Sequence, residues 1–257
     1  MPHSPVSIDV SEGVAITVFE SDHDGKCGYA TRLWDCSVGL SRWMLESLPP
    51  HGPVVAALPS ERPLKGWRVL EVGAGTALCS LAILLAEPDC QVIATDVDPA
   101  SLPLIRAAAE VLYKSHGRGL ENLQSLLVDI TAAGTALPDC DLLIASDACY
   151  TTELATALAN RCVQALQASP TARVVIADPG RPGQQTLTDA LAAAGYGAIF
   201  EKVGDRRAAG AACPSFAEWL GAQGGGKPTL GRCPRIRLLQ IEDDARLWGV
   251  SCVPAMF

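Results

Sequence analysis

The chain has 257 residues, of which 49% are hydrophobic and 19% charged, and its formal net charge is −8. This length and composition allow one α/β domain with a sizeable core. A negative net charge without a basic cluster argues against nucleic-acid binding, and no uninterrupted apolar run is long enough to cross a membrane. We therefore expect a monomer with neither a nucleic-acid nor a membrane partner.

Ten cysteines are spread along the chain without a C-x-x-C pair, and most lie in apolar stretches. Such cysteines are typical of reduced thiols that act as small apolar side chains. The N-terminus lacks the basic and apolar blocks of a secretory signal. We therefore expect a cytosolic or nuclear location. The four histidines lack ligand spacing, so no metal site is predicted.

The first predicted elements form an N-terminal extension over residues 1–66. Residues 8–19 alternate in hydrophobicity around Glu12-Gly13, which predicts a pair of strands. A helical stripe of apolar residues follows from about Leu33 to Leu48. Residues 49–66 are Pro-rich and predict a loop.

From Trp67 onward, short apolar strands alternate with amphipathic helices. Strands are predicted at 67–72, 91–95, 123–128, 141–146 and 173–177, and helices at 76–86, 101–115, 152–168 and 183–194. Two more strands, 197–203 and 235–241, flank a loop insert at 204–232. The pattern predicts a Rossmann-like, doubly wound sheet of seven strands. We expect a single domain over 1–257, with its cofactor-binding core at 67–203 and the last strand and tail at 233–257.

A glycine loop, E-V-G-A-G-T, follows the first strand of the core from Glu71 to Thr76. The dinucleotide fingerprint G-x-G-x-x-G/A requires a small third residue, and Leu78 stands there. A carboxylate at Glu71 would also repel a pyrophosphate, by about 1–4 kcal/mol. A cationic, phosphate-free cofactor would be attracted instead, and S-adenosylmethionine is such a ligand.

Acidic residues also end the next two strands. Asp96 stands where a carboxylate accepts the ribose hydroxyls of a nucleotide. Asp129 can receive an adenine amino group, and Ile130 can cover the ring. Each residue alone is an ordinary turn former. An acidic residue at three successive strand ends favours one shared cofactor site.

Three further stretches carry a family resemblance. G-x-x-x-x-x-W-D-C-S-V-G-L (Gly28 to Leu40) and S-D-A-C-Y (Ser146 to Tyr150) resemble motifs of the seven-stranded S-adenosylmethionine-dependent methyltransferases. They are most similar to the branch of protein lysine methyltransferases called methyltransferase family 16. D-P-G-R (Asp178 to Arg181) is similar to the lysine methyltransferases of the electron-transfer-flavoprotein β-subunit.

The resemblance implies a mostly parallel sheet with an antiparallel last strand, and methyl transfer from S-adenosylmethionine to a lysine ε-amine of a protein substrate. It implies that Asp147 receives the substrate ammonium and that Tyr150 walls the lysine channel. The implied cofactor-binding residues are Trp34, Glu71, Gly73, Ala74, Gly75, Thr76, Asp96, Val97, Asp129, Ile130 and Ser146.

Several alternatives remain open. The branch often has Trp where this chain has Ile130, and the 204–232 insert does not match the branch. The other hypotheses are methyl transfer to protein arginine or histidine, methyl transfer to a small molecule, and a non-catalytic cofactor-binding scaffold. Glu71 and Leu78 make a nicotinamide-dependent oxidoreductase the weakest of them. Arg181 belongs either to a plain turn or to a surface that meets an acidic substrate.

Overall fold

All of the helices and strands expected from the sequence are present. The computed structural model describes residues 3–21, 28–47, 64–117, 120–203 and 236–241. Its elements are β1 (Ser4–Ser11), β2 (Val14–Glu20), α1 (Asp35–Ser47), β3 (Arg68–Val72), α2 (Leu78–Ala86), β4 (Gln91–Asp96), α3 (Ser101–His116), β5 (Leu123–Leu127), β6 (Leu142–Ser146), α4 (Thr152–Ala168), β7 (Arg173–Asp178), α5 (Gln184–Ala193), β8 (Phe200–Val203) and β9 (Ile236–Ile241).

The N-terminal hairpin forms a small sheet of its own. β1 and β2 pair in antiparallel fashion around the predicted turn, where Gly13 has a positive φ of 68°. Ile8 and Ile16 are each 1% exposed and belong to the same apolar cluster as α1 and α2. The hairpin therefore extends the core of the main sheet instead of standing apart from it.

The main sheet has seven strands in the order β5-β4-β3-β6-β7-β9-β8. Its central strands β3, β6 and β7 are mostly apolar because both faces are covered. Leu142 and Ile144 pack with α1, α2 and α3 on one face. Leu143 and Ala145 pack with α4 and α5 on the other face. The chain leaves β3 and β6 in opposite directions, and this topological switch is where ligands bind in such sheets.

The direction of the last strand corrects the sequence-based expectation. β9 is parallel to β7, with Val174 opposite Ile236 and Asp178 opposite Gln240, and it is also parallel to β8. The prediction of an antiparallel last strand was therefore wrong. A parallel connection needs about a dozen residues or more, and residues 204–235 provide that length. The predicted 204–232 insert and the tail after 241 lie outside the described residues.

No helix in the part of the chain that the structure describes combines the length and the apolar character needed to cross a membrane.

Candidate active site

A cavity of about 630 Å³ opens at the C-terminal ends of β3, β4 and β6 and beside the loop after β5. Its volume lies in the range of small-molecule sites, about 300–1,000 Å³. Twelve of the thirteen predicted site residues line it: Trp34, Gly73, Ala74, Gly75, Thr76, Asp96, Val97, Asp129, Ile130, Ser146, Asp147 and Tyr150.

The glycine loop turns its amide groups toward the protein. The N–H of Ala74 donates to the carbonyl oxygen of Thr95 at 2.8 Å, and the N–H of Gly75 donates to Oδ2 of Asp96 at 2.8 Å. Gly75 has a φ of 55°, and a Cβ built on it would lie 3.4 Å from the carbonyl oxygen of Ala30. Because these two donors are already used, they are not available to bind a phosphate.

Glu71 is the one predicted site residue that does not line the cavity. Its side chain is 1% exposed, and its Oε2 accepts the N–H of Ser80 at 3.0 Å and the Ser80 hydroxyl. The expectation of a rim carboxylate that attracts the cofactor was therefore wrong, because the first turn of α2 draws this side chain inward. The carboxylate instead satisfies a donor at the helix N-terminus, where a dinucleotide would place its pyrophosphate.

Burial of Glu71 has an electrostatic cost. It raises the pKa of this carboxyl from 4.5 to about 7, although the two hydrogen bonds from Ser80 oppose the shift. Glu71 still argues against binding of a dinucleotide. The reason is that its carboxylate occupies the N-terminus of α2, and not that it repels a ligand from the edge of the cavity.

Asp96 joins the glycine loop to the turn after β4. Its Oδ2 accepts from Gly75, and its Oδ1 accepts the N–H of Asp98 at 2.9 Å. Burial raises the pKa of Asp96, backbone N–H donors of Asp98 and Gly75 lower it, and the Asp98 charge adds a smaller increase. A carboxylate has about four acceptor positions, and the N–H of Val97 also interacts with Asp96, so one position remains for a hydroxyl group in the cavity.

The far end of the cavity is apolar. Val97 is 60% exposed and Ile130 is 8% exposed, and both line the cavity. Asp129 lies on the surface beside them, and hydrogen bonds from Thr131 lower its pKa. Two apolar side chains with a carboxylate at their edge suit a flat base with an amino group.

Arg161, on α4, holds the loop that carries Ile130, and sequence reasoning missed it. Its guanidinium donates to the carbonyl oxygens of Ile130 at 3.0 and 3.1 Å, Ala132 at 3.0 Å and Thr135 at 2.6 Å. An arginine on the polar side of a helix gives no sequence signal for this role.

An aromatic row stands at the mouth of the cavity. The ring of Tyr29 stacks on Trp34, with centroids 6.0 Å apart, and on Tyr150, with centroids 6.4 Å apart. Nε1–H of Trp34 donates to the carbonyl oxygen of Tyr29 at 2.9 Å. Sequence reasoning missed Tyr29, although it lies within the Gly28-to-Leu40 motif. Burial raises the pKa of Tyr150, as do the charges of Asp96 and Asp147.

Asp147 is paired with Arg181. Nε of Arg181 lies 2.7 Å from Oδ1 of Asp147, and Nη2 lies 2.8 Å from Oδ2. Asp147 has a φ of 51°, in the left-handed region that Asp and Asn tolerate best among residues with a Cβ. The predicted D-P-G-R segment therefore belongs to the site through its arginine.

Carboxylates dominate the charges around the cavity. Among the described residues that line it, five are acidic and one, Arg32, is basic; the acidic residues are Asp96, Asp98, Asp129, Asp147 and Glu153. This balance favours a cationic ligand over a phosphate. Among the described residues, no cluster of three or more His, Cys, Asp or Glu side chains has the arrangement of a metal site.

Cysteine chemistry does not serve this site. The six cysteines in the described ranges are reduced thiols, and all six are buried. Burial raises the pKa of Cys90 to about 12 and that of Cys140 to about 11. Thiolates are the reactive form, so these cysteines contribute packing, as the sequence predicted.

The residues of the cavity fit S-adenosylmethionine. An apolar pocket edged by Asp129 matches the adenine, and Asp96 with a free acceptor position matches a ribose hydroxyl. The acidic lining matches the ammonium and sulfonium charges. No group of basic side chains is present among the described lining residues to hold a phosphate.

Comparisons with solved structures give several similar methyltransferases. An O-methyltransferase family 2 protein from Planctomyces limnophilus, in complex with apigenin, has 18% identity and a TM-score of 0.40, over 55% of this chain and 38% of that one. A precorrin-6y C5,15-methyltransferase from Geobacter metallireducens has 16% identity and a TM-score of 0.40, over 59% and 79%. PKMT2 from Rickettsia typhi, in complex with AdoHcy, has 14% identity and a TM-score of 0.37, over 53% and 24%.

This chain covers well under two thirds of several of the solved chains that it matches. It spans 28%, 36% and 38% of the length of three of them. A search of the curated proteins finds no match.

Family membership rests on a sequence profile that covers most of the chain. The profile of the lysine methyltransferase family, methyltransferase family 16, matches residues 12–186. This span contains the hairpin turn, the glycine loop, the aromatic row and Arg181. The chain therefore belongs to the lysine methyltransferase family, a family of S-adenosylmethionine-dependent methyltransferases.

Proposed function

We propose that this protein transfers a methyl group from S-adenosylmethionine to the ε-amine of a lysine in a protein substrate. The observation that carries the proposal is the aromatic row at the mouth of an acidic cavity. Tyr29 is 73% exposed and Tyr150 is 54% exposed, so a side chain on the surface of another protein can reach them. Aromatic faces attract ammonium groups, as do the carboxylates behind them.

The cofactor would lie along the glycine loop. Val97 and Ile130 would enclose the adenine, and Asp96 would accept a hydrogen bond from a ribose hydroxyl. Trp34 would cover the methionyl end. When bound, S-adenosylmethionine supplies a methyl carbon that its sulfonium makes reactive. Alignment of the acceptor nitrogen with that carbon is most of what the enzyme must add.

Asp147 and Tyr150 would direct the acceptor. They follow β6 directly and line the cavity beside Trp34. A lysine side chain that passes along the aromatic row would bring its nitrogen to the Asp147 carboxylate, which can accept an N–H. The row also excludes water from the stem of the lysine, because its aromatic surfaces cover the methylene groups.

The experiment has two steps. Calorimetry with S-adenosylhomocysteine and with NAD tests the cofactor, and only the first is expected to bind. Radiolabelled S-adenosylmethionine with a cell lysate, followed by mass spectrometry of the labelled proteins, then identifies the residue. Methyl-lysine supports the proposal, whereas methyl-arginine, methyl-histidine or a labelled small molecule refutes it. Cofactor binding without any label would indicate a scaffold.

A matched pair of variants tests the role of the site. Asp147→Asn removes the carboxylate that pairs with Arg181 and keeps a residue that tolerates the positive φ, and we expect it to lower methyl transfer about 100-fold or more, the usual range for a positioned catalytic group. Asp189→Asn, on the exposed side of α5, is the control and should retain wild-type labelling. Equal labelling by all three proteins would contradict the role of Asp147.

A further inference from the structure

The guanidinium of Arg181 is held beside the acceptor end of the cavity by independent contacts. It makes the two-fold pair with Asp147, and its central carbon lies 5.9 Å from the ring centroid of Trp34. The Arg181 side chain is 34% exposed and that of Asp147 is 8% exposed. A bidentate pair of this kind fixes the orientation of both partners.

Asp178 fixes the backbone from which Arg181 extends. This side chain is fully buried. Its Oδ1 accepts the N–H of Gly180 at 2.9 Å, the N–H of Arg181 at 2.7 Å and Nε2 of Gln184 at 2.9 Å. Its Oδ2 accepts the N–H of Cys149 at 3.3 Å. One carboxylate therefore joins the loop after β7 to the loop that carries Asp147, which leaves the ion pair little freedom to rearrange.

We infer that Arg181 is a positioning residue for methyl transfer, whose guanidinium orients Asp147 and cancels its charge so that the carboxylate guides an uncharged amine. The inference rests on the proposed function, since it concerns the amine acceptor of that reaction.

The physical reason is the protonation state of the acceptor. A lysine amine has an ordinary pKa of about 10.4, and only its neutral form has the lone pair that attacks the methyl carbon. In that step the new C–N bond forms as the C–S bond breaks, and the electrons of the C–S bond stay on sulfur. An unpaired carboxylate at Asp147 would hold the ammonium form and oppose loss of the proton to solvent. A neutral ion pair removes that opposition.

The pair still leaves Asp147 able to accept a hydrogen bond. Each carboxylate oxygen has two acceptor positions, and Arg181 uses one on each oxygen. The free positions can accept an N–H of a neutral amine and so aim its lone pair. The Asp147 carboxylate thereby orients the amine, and the Arg181 guanidinium neutralises the charge of that carboxylate.

Other charged groups face the same space and act equally on the wild type and on an Arg181 variant. Asp96 and Asp98 come from β4 and the turn after it, Asp129 from the loop after β5, and Glu153 from α4. Arg32 and the titratable phenol groups of Tyr29 and Tyr150 also line the cavity. Comparison of variants at Arg181 alone therefore isolates the effect of its guanidinium.

The test measures binding of n-butylamine, which carries the side chain of lysine, to protein with and without S-adenosylhomocysteine. At pH 7.5 this probe is an ammonium. Arg181→Gln exposes the charge of Asp147, and we expect it to bind the probe about tenfold more tightly than the wild type, as for one unit charge near the surface. Arg181→Lys keeps the charge and should bind as the wild type does. Arg106→Gln removes an exposed positive charge elsewhere and should change nothing.

Three outcomes would overturn the inference: equal binding by wild type and Arg181→Gln, weaker binding by the variant, or no binding by either. Failure of the wild type to bind S-adenosylhomocysteine would refute the proposed function instead, while the comparison without that ligand would still decide the role of Arg181.

The pH dependence of methyl transfer provides a second readout. We expect Arg181→Gln to shift the rise of the rate with pH by about one unit toward alkaline values, since a tenfold preference for the ammonium is one pH unit. The rate at saturating acceptor should fall at neutral pH without a rise in KM. Faster transfer by Arg181→Gln at neutral pH would mean that the guanidinium blocks the acceptor, and would overturn the inference.

Discussion

Replacement of Glu71 by Gln gives a sharp test of the reasoning about the glycine loop. Glu71 is fully buried, and burial raises its pKa from 4.5 to about 7. For an acid with a raised pKa, the folded state carries no penalty below pH 4.5, where the carboxyl is protonated in both states. The penalty grows as the pH rises and is complete above pH 7, where the folded protein must hold a buried charge.

The size of the penalty follows from the two pKa values. Their difference corresponds to about 3 kcal/mol of unfolding free energy between pH 4.5 and pH 7. The Gln variant can accept the same hydrogen bonds from Ser80 without a charge. Its stability relative to the wild type should therefore increase by about 3 kcal/mol between pH 4.5 and pH 7.

Urea unfolding, followed by circular dichroism from pH 4 to pH 8, measures this difference directly. Glu110→Gln, at an exposed position of α3, is the matched control for loss of a carboxylate. The relevant result is the change of the difference with pH and not its absolute value, because the amide also alters the local hydrogen bonds. Parallel stability curves for the wild type and Glu71→Gln would refute the reasoning.

Three other substitutions test separate parts of the site. A Cβ at Gly183 would lie 2.5 Å from the carbonyl oxygen of Cys149. Gly183→Ala should therefore lower the free energy of unfolding by about 1–3 kcal/mol or more through overpacking, and lower Tm by about 2–4 °C per kcal/mol. A Tm equal to that of the wild type would contradict the contact. Arg161→Met should weaken S-adenosylhomocysteine binding about tenfold in calorimetry, because the loop with its three bonded carbonyl groups loses its support; unchanged affinity would exclude Arg161 from shaping the site. Tyr29→Ala should raise KM for the acceptor several-fold, whereas Tyr29→Phe should retain the wild-type value, since stacking and not the hydroxyl is the expected contribution. Equal KM values for the two variants would contradict a role of the aromatic row in acceptor binding.

Much of the fold could be predicted because its signals are local. Buried parallel strands read as short apolar runs, and the intervening helices carry a 3.6-residue period. The direction of β9 could not be predicted in this way, since a strand reads alike in both directions. The residues 204–235 before it are long enough for either connection.

The candidate site was predictable in its position and less so in its contacts. Parallel strands end at one edge, so Asp96, Asp129 and Asp147 had to gather there. The side chain of Glu71 turned inward because Ser80, nine residues later, offers two donors to it. Sequence alone does not show which of two faces a residue at a strand end takes.

Long-range pairs were beyond sequence reasoning as well. Arg181 and Asp147 are 34 residues apart, and neither carries a local signal for the other. Tyr29 was missed for a related reason: its role depends on the rings of Trp34 and Tyr150, which only the folded chain brings beside it.

The proximity of Ala30 to Gly75 would link the two halves of the proposed reaction. Ala30 follows Tyr29 directly, and its carbonyl oxygen sits over the glycine loop. In the proposed complex, one short piece of chain would thus border the methyl donor on one side and the acceptor on the other. Binding of the methyl donor would fix the position of this segment and so complete the entrance for the acceptor. This favours an ordered mechanism in which the donor binds first.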